Sequence, residues 1–164
     1  MTTVAITRTH GHALQDVHVW AGAVSGVIAS LVMGMAIMAA TWVQGDGLFF
    51  VPEKIATLVL SDASAATTLG IITGLGIHMI LGAIFGVIFA GAYTLLTGSY
   101  KVGTAVALGV LFGFGLWVAN FLIIGPAVGA QLTASIGAEL ALPTHLIFGF
   151  ALGIYARLIK DRLG

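Results

Sequence analysis

The stretch HMILGAIFGVIF at residues 78–89 decides the fold, because it returns at residues 145–156 as HLIFGFALGIYA. The histidine, one isoleucine and both glycines recur at the same spacing. His78 and His145 are the only histidines that lie well inside long uncharged apolar segments of the sequence. The pattern predicts two related apolar helices that each carry one imidazole at a matched depth.

The composition is typical of a membrane protein. Of the 164 residues, 59% are hydrophobic and 7% are charged, whereas soluble chains carry about 25% charged residues. Charged side chains are absent from residues 17–45, 63–100, 102–138 and 140–156. Since a membrane-spanning helix needs roughly 20 apolar residues, the chain has room for four. We predict one all-α membrane domain over residues 1–164, with spans at residues 18–42, 69–96, 102–124 and 140–159.

The repeat predicts how these spans are arranged. Residues 30–42 align with residues 109–121, so we expect two tandem helical hairpins in an antiparallel up-down-up-down bundle. Small residues recur at every fourth position of the spans, and such GxxxG-type stripes let helix backbones approach closely in lipid. The second and fourth helices of such a bundle lie diagonally across its core. The two imidazoles should therefore face each other.

The placement of lysine and arginine predicts the orientation. Lys54 falls on one side of the four spans, and the other five cations fall on the opposite side: Arg8, Lys101, Arg157, Lys160 and Arg162. The positive-inside rule then puts both termini in the cytoplasm, and we expect a bacterial inner membrane. Aromatic residues that prefer the membrane interface lie near the span ends, namely Trp20, Trp42 and Tyr100. Residues 52–61 predict a short amphipathic helix in the outer interface, with Pro52 in its first turn.

Several function classes are excluded or disfavoured by the sequence. The chain has no cysteine, which excludes disulfides, iron–sulfur clusters and thiol catalysis. Its formal net charge of zero gives no electrostatic basis for binding nucleic acid. No phosphate-binding loop, nucleophile elbow or pair of catalytic carboxylates is recognisable. We therefore expect no catalysis by the protein alone.

The histidine pair predicts a site for one b-type haem. In this interpretation His78 and His145 are the axial ligands, and the small residues beside them, Gly82 and Gly149, leave room for the macrocycle. The second nitrogen of a ligating imidazole needs a hydrogen-bond partner, and Asn120 is a candidate for this second shell.

Two other interpretations of the pair stay open. One is a metal or proton path. Soft thioethers favour copper(I), and the methionines concerned are Met33, Met35, Met38 and Met79. The residues of a proton relay would be Thr41, Asn120 and Thr144. The other is structural, with each imidazole hydrogen-bonded across a helix interface to Asn120, a threonine or a carbonyl. A separate histidine cluster near the start of the chain, His10, His12 and His18 with Asp16, has no assigned role.

We expect a small integral membrane subunit of a larger membrane assembly. The redox character of the histidine pair favours an accessory or structural subunit of a respiratory-type complex, at most an electron-transfer subunit. Its expected partners are the lipid bilayer and other membrane protein subunits, without nucleic acid. The alternative is a small oligomeric transporter or channel for a metal ion, a proton or a small solute.

Overall fold

The computed structural model describes the backbone of residues 3–96 and 101–163, and the side chains of residues 19–96, 101–127, 129 and 131–155. Every regular element in these ranges is helical. Four stretches of helix are long and apolar enough to cross a membrane: Val19–Gln44, Thr68–Leu96, Val102–Ala127 and Ala138–Tyr155. The prediction of an all-α chain with four such helices is confirmed for the described residues.

The long helices alternate with short ones. The described helices are, in chain order, α1 (Thr3–Gln44), α2 (Phe50–Ala56), α3 (Asp62–Ala65), α4 (Thr68–Leu96), α5 (Val102–Trp117), a π-helical segment (Val118–Ile124), α6 (Gly125–Val128), α7 (Ala130–Ile136) and α8 (Ala138–Leu163). Helix α2 packs against α4 and also contacts α7, which in turn contacts α8. The short helices therefore gather at one end of the long ones, which we call the capped end.

The short helix α2 ends earlier than the predicted range of 52–61. After Ala56 the amides of Leu58 and Val59 donate to carbonyls only three residues earlier, Ile55 and Ala56. The Thr57 hydroxyl donates to the Lys54 carbonyl at 2.7 Å. These tighter bonds satisfy the last turn and close the helix, although the apolar pattern of the sequence continues to Leu60.

Backbone contact between glycines holds α1 against α4. A β-carbon on Gly26 would overlap the carbonyl of Gly82, and one on Gly22 would come within 2.8 Å of the carbonyl of Gly86. Helix α5 meets α8 in the same way, because a β-carbon on Gly109 would overlap the carbonyl of Gly149. In lipid this close approach brings the dispersion contacts that drive helix association.

These glycine contacts shift the expected register by one helical turn. The sequence alignment paired residue 30 with residue 109, but the packing makes Gly26 the counterpart of Gly109: Gly26 meets Gly82 and Gly86, as Gly109 meets Gly149 and Gly153. A stripe with a small residue at every fourth position looks the same after a slide of four residues. The sequence alone therefore could not choose between the two registers.

The four long helices do not pack evenly. Helix α1 packs closely against both α4 and α8, and α5 packs closely against α8, whereas α4 and α5 touch only sparsely. Away from the capped end the space between the helices is filled by large side chains, including Phe89, Phe148 and Leu152, each at most 3% exposed. The rings of Phe89 and Phe112 lie 5.5 Å apart. This aromatic layer closes the half of the molecule opposite the cap.

We predict that Gly26→Ala destabilises the protein while Gly76→Ala does not. The new methyl group at Gly26 would overlap the Gly82 carbonyl, whereas no atom lies within 4 Å of a β-carbon at Gly76. Overpacking of this kind costs roughly 1–3 kcal/mol, and alanine is otherwise the better helix former. Thermal unfolding in detergent micelles checks this, and equal midpoints for the two variants would contradict the proposed packing.

Candidate functional site

A cavity of about 380 Å³ lies between the long helices, next to the capped end. Its walls come from α1, α4, α8 and the π-helical segment, and its roof from α2 and α7; Ile55 and Leu132 are examples of roof residues. Most of the lining side chains are apolar, and the polar ones include Ser30, His78, Asn120 and His145. The structure thus brings both histidines to one partly open cavity.

His78 is anchored to the neighbouring helix. Its Nε2 atom lies 3.1 Å from the backbone carbonyl oxygen of Ser30 on α1. A carbonyl oxygen can only accept, so Nε2 carries the hydrogen and donates it. The lone pair of the neutral ring is then on Nδ1, which has no hydrogen-bond partner among the described residues.

His145 is held in the opposite tautomer. Its Nδ1 atom lies 2.8 Å from the Ala141 carbonyl oxygen one turn earlier in α8, so Nδ1 carries the hydrogen. Its Nε2 atom then accepts from the side-chain amide of Asn120, at 3.4 Å. The ring of Phe121 meets the imidazole edge-on, with centroids 5.7 Å apart. With 7% exposure, His145 is the more buried of the two histidines.

The π-helical segment presents Asn120 and Phe121 to His145. This segment, Val118–Ile124, interrupts a helix that the sequence predicts as regular up to residue 124. Pro126 follows two residues later; it has no amide hydrogen, and its ring clashes with the carbonyl four residues earlier in a regular helix. The wider π turns end just before this proline. π-Helical turns occur frequently at functional sites.

The end of α5 is also tied to the start of α8. The Trp117 indole donates to the Ala138 carbonyl at 3.0 Å, one turn before Ala141. This bond fixes the approach of the π-helical segment to the histidine-bearing helix. Proline at position 126 was the only signal in the sequence for this irregularity.

The haem that the histidine pair predicts does not fit this arrangement of side chains. An iron ligand must direct a nitrogen lone pair at the metal, but the lone pair of the His145 Nε2 atom already accepts from Asn120. The Nε2 of His78 donates to Ser30, which leaves only the Nδ1 atom of that ring for a metal. The expected haem-packing residues are engaged as well: Gly82 meets Ser30 and Gly26 of α1, and Gly149 meets α5. The haem stays a prediction from the sequence that these contacts do not favour.

The positions of the threonine and methionine side chains give little support to a metal site or a proton path. Thr41 donates to carbonyls at Ile37, Met38 and Gly47, and Thr144 donates to Leu140 and Ala141, so both hydroxyls are satisfied locally. Of the four methionines that the metal interpretation uses, Met33 lines the cavity and Met35 is 62% exposed. No group of three or more histidine and carboxylate side chains that could hold a metal ion exists among the described residues.

Some predicted features lie outside the described side chains. These are the early cluster of His10, His12, Asp16 and His18, four of the cations used for the orientation (Arg8, Arg157, Lys160 and Arg162), and the interfacial Tyr100. In contrast, Ser30 belongs to the site although the sequence marked it only as part of a packing stripe. It is the one hydroxyl in the α1 series Gly22, Gly26, Ser30 and Gly34, which is the signal that could have identified it.

Comparisons with protein-family models, with curated proteins and with solved structures find no match to this chain.

The two histidines should show opposite neutral tautomers. We expect the hydrogen on Nε2 in His78 and on Nδ1 in His145, because each faces a carbonyl oxygen that can only accept. Nitrogen-15 NMR of the ring nitrogens in lipid nanodiscs checks this, with His78→Gln and His145→Gln assigning the signals. The same tautomer at both positions would contradict the hydrogen bonds described above.

The purified protein should show no stoichiometric Soret absorbance. Ligation by both imidazoles would require breaking the His145–Asn120 bond, and His78 would have to ligate through Nδ1 because its Nε2 donates to Ser30. An absorbance spectrum after haem-supplemented expression tests this directly. A full-occupancy Soret band that is lost in both His78→Ala and His145→Ala would restore the haem interpretation.

Proposed function

We propose that this protein is a small integral membrane subunit of a larger membrane assembly, and that it contributes a binding site for a lipid-soluble small molecule. The observation that carries the proposal is the cavity lined by His78, Asn120 and His145. We retain the redox or respiratory-type assembly as the proposed setting. We propose that the protein contributes a bound small molecule to this assembly, in place of the haem that the sequence predicts.

The size and lining of the cavity favour a bound molecule over water. Ligand pockets have volumes of about 300–1,000 Å³ and are mostly apolar, with a few polar groups that fix orientation. The cavity volume of about 380 Å³ falls in this range. It exceeds the share of ten waters, at roughly 30 Å³ each, and buried waters need two to four polar partners apiece. The few polar groups here could hold only a small number of waters.

The uneven helix packing gives the ligand a route from the membrane. Helices α4 and α5 touch only sparsely, and the cavity is lined by Leu81 and Phe85 of α4 and by Leu116 of α5. Leu81 is also 42% exposed on the outside of the bundle. A molecule dissolved in the lipid can therefore reach the cavity between these two helices.

The aromatic layer favours binding over conduction. The alternative function, an oligomeric transporter or channel, needs a path along the helices within or between chains. Within one chain such a path would meet Phe89, Phe148 and Leu152, which are almost fully buried. Conduction would require these side chains to separate, whereas binding requires no such movement.

The proposal includes a specific placement in the membrane. The four spans form two antiparallel hairpins that arose as a repeat, with both termini in the cytoplasm of a bacterial cell and the capped end outside. Helix α2 then lies at the outer interface, where Lys54 sits over the Phe50 ring at 5.4 Å from its centroid. Trp20 and Trp42, which are 69% and 65% exposed, lie near opposite ends of the first span, as interfacial aromatic residues do. Other subunits would cover part of the apolar outer surface.

We predict that Leu132→Trp removes a co-purifying small molecule. The larger side chain fills the cavity from its roof without touching the glycine contacts of the long helices. Native mass spectrometry of protein extracted in mild detergent should show a bound mass in the wild type that the variant lacks. The matched control is Leu122→Trp, because Leu122 is 55% exposed and lies outside the cavity lining.

Two outcomes would count against the proposed function. One is a wild-type protein with no bound small molecule, and the other is a bound mass that survives in Leu132→Trp. The thermal unfolding midpoint of both variants should stay near that of the wild type, which separates loss of the ligand from loss of the fold.

A further inference from the structure

We propose that the ligand of the cavity is a lipid-soluble quinone or its quinol. This inference rests on the proposed function and names the ligand class of the same site. Three features of the cavity carry it: polar atoms that have no protein partner, the absence of a charged lining residue, and three phenylalanine rings in the wall.

The first feature is a set of unpaired polar atoms. Ser30 is 1% exposed, yet its hydroxyl has no hydrogen-bond partner among the described residues. The Nδ1 atom of His78 has no partner among the described residues, and the bond to the Ser30 carbonyl uses Nε2. The Asn120 amide uses one hydrogen for His145, which leaves its oxygen and its second hydrogen. Buried polar groups are normally hydrogen-bonded, so these atoms mark where a ligand would be held.

The second feature is the charge of the cavity lining. Among the side chains that the structure describes, no lysine, arginine, aspartate or glutamate contributes to it. A carboxylate or phosphate headgroup would therefore be buried without a counter-ion, and so would an ammonium group, at a high desolvation cost. This excludes fatty acids and phospholipid headgroups and leaves ligands with a neutral polar head.

The third feature is aromatic. Phe85 of α4, Phe121 of the π-helical segment and Phe148 of α8 all line the cavity. Aromatic side chains pack well against other rings in stacked or edge-to-face geometry. A flat ring in the ligand head uses these surfaces better than a single hydroxyl on an aliphatic skeleton does.

The unpaired atoms match both forms of such a head. Quinone oxygens only accept, and the cavity offers the Ser30 hydroxyl and the second Asn120 hydrogen as donors. Quinol hydroxyls can also donate, and the His78 Nδ1 atom and the Asn120 oxygen can accept from them. The proposal concerns binding alone and assigns no electron transfer to this chain.

The test measures binding of decylubiquinone, a benzoquinone with a ten-carbon chain, to the protein in nanodiscs. The control probe is decylbenzene, which keeps the ring and the chain but has no ring oxygen. Quenching of Trp117 fluorescence reports quinone binding, since Trp117 follows the lining residue Leu116, and binding of decylbenzene is measured by its displacement of the quinone. Trp20 and Trp42 are replaced by phenylalanine in all fluorescence samples. We expect saturable binding of the quinone and at least tenfold weaker binding of decylbenzene.

Variants that remove one polar atom each should weaken quinone binding about five- to tenfold, the usual effect of one hydrogen bond. Ser30→Ala removes the hydroxyl and Asn120→Leu removes the amide. His78→Gln keeps a donor for the Ser30 carbonyl but moves the acceptor from Nδ1 to a side-chain oxygen, so it should change the affinity for the quinol more than that for the quinone. Leu132→Trp should abolish binding, and the control Leu122→Trp should leave it unchanged; both are measured by native mass spectrometry, because each variant adds a second tryptophan.

Equal binding of the two probes, or quinone affinity that is unchanged in Ser30→Ala, Asn120→Leu and Leu132→Trp, would overturn the quinone assignment. Native mass spectrometry separates this failure from that of the proposed function. A bound molecule of another class that Leu132→Trp removes would leave the proposed function standing. Its absence would remove both.

Discussion

Close backbone contact between glycines is the constraint on which the rest of this structure depends. In lipid, apolar side chains gain little from leaving their surroundings, so helices associate through dispersion contacts and a few hydrogen bonds. Gly26 against Gly82, and Gly109 against Gly149, bring each pair of helices as close as backbones allow. At this separation His78 can reach a carbonyl of the neighbouring helix. Larger residues in the stripes would remove that bond together with the packing.

The cavity follows from a difference between two otherwise matching hairpins. Their glycine contacts correspond pair by pair, but α1 packs closely on α8 while α4 and α5 remain apart. The π-helical segment adds a second difference, because it presents Asn120 and Phe121 at the position that Ile37 and Met38 occupy in the first hairpin. The site is therefore asymmetric, and each of the two repeated histidines has its own partner and its own tautomer.

Much of the fold, but only part of the site, could be predicted from the sequence. Long uncharged segments were sufficient to predict four membrane-spanning helices, because burial in lipid excludes charge over a fixed length. The repeated histidine directed attention to His78 and His145, polarity alone directed it to Asn120, and the structure places all three at one cavity. The partners of these residues could not be predicted. A four-residue stripe leaves the register open by one turn, and the ring nitrogen used by each histidine depends on which carbonyl lies opposite.

The positions of α2 and α7 in the structure and the π-helical turns after α5 could not be predicted from the sequence, for a different reason. Helices α2 and α7 are short, so their positions are set by tertiary contacts and not by a periodic pattern. The π-helical segment has no periodicity of its own, and Pro126 marks where a regular helix must stop without stating how. These are also the elements that convert a gap between helices into the cavity.

The contact between α1 and α8 is the only extensive one between the two hairpins among the described residues, and it runs along one side of the molecule. It can therefore act as a hinge line. Rotation of one hairpin about it changes the width between α4 and α5 while every glycine contact inside each hairpin stays intact. Helices α2 and α7 also touch, so they connect the same two hairpins at the capped end. In the proposed assembly, a subunit that contacted α4 or α5 would change the volume of the cavity.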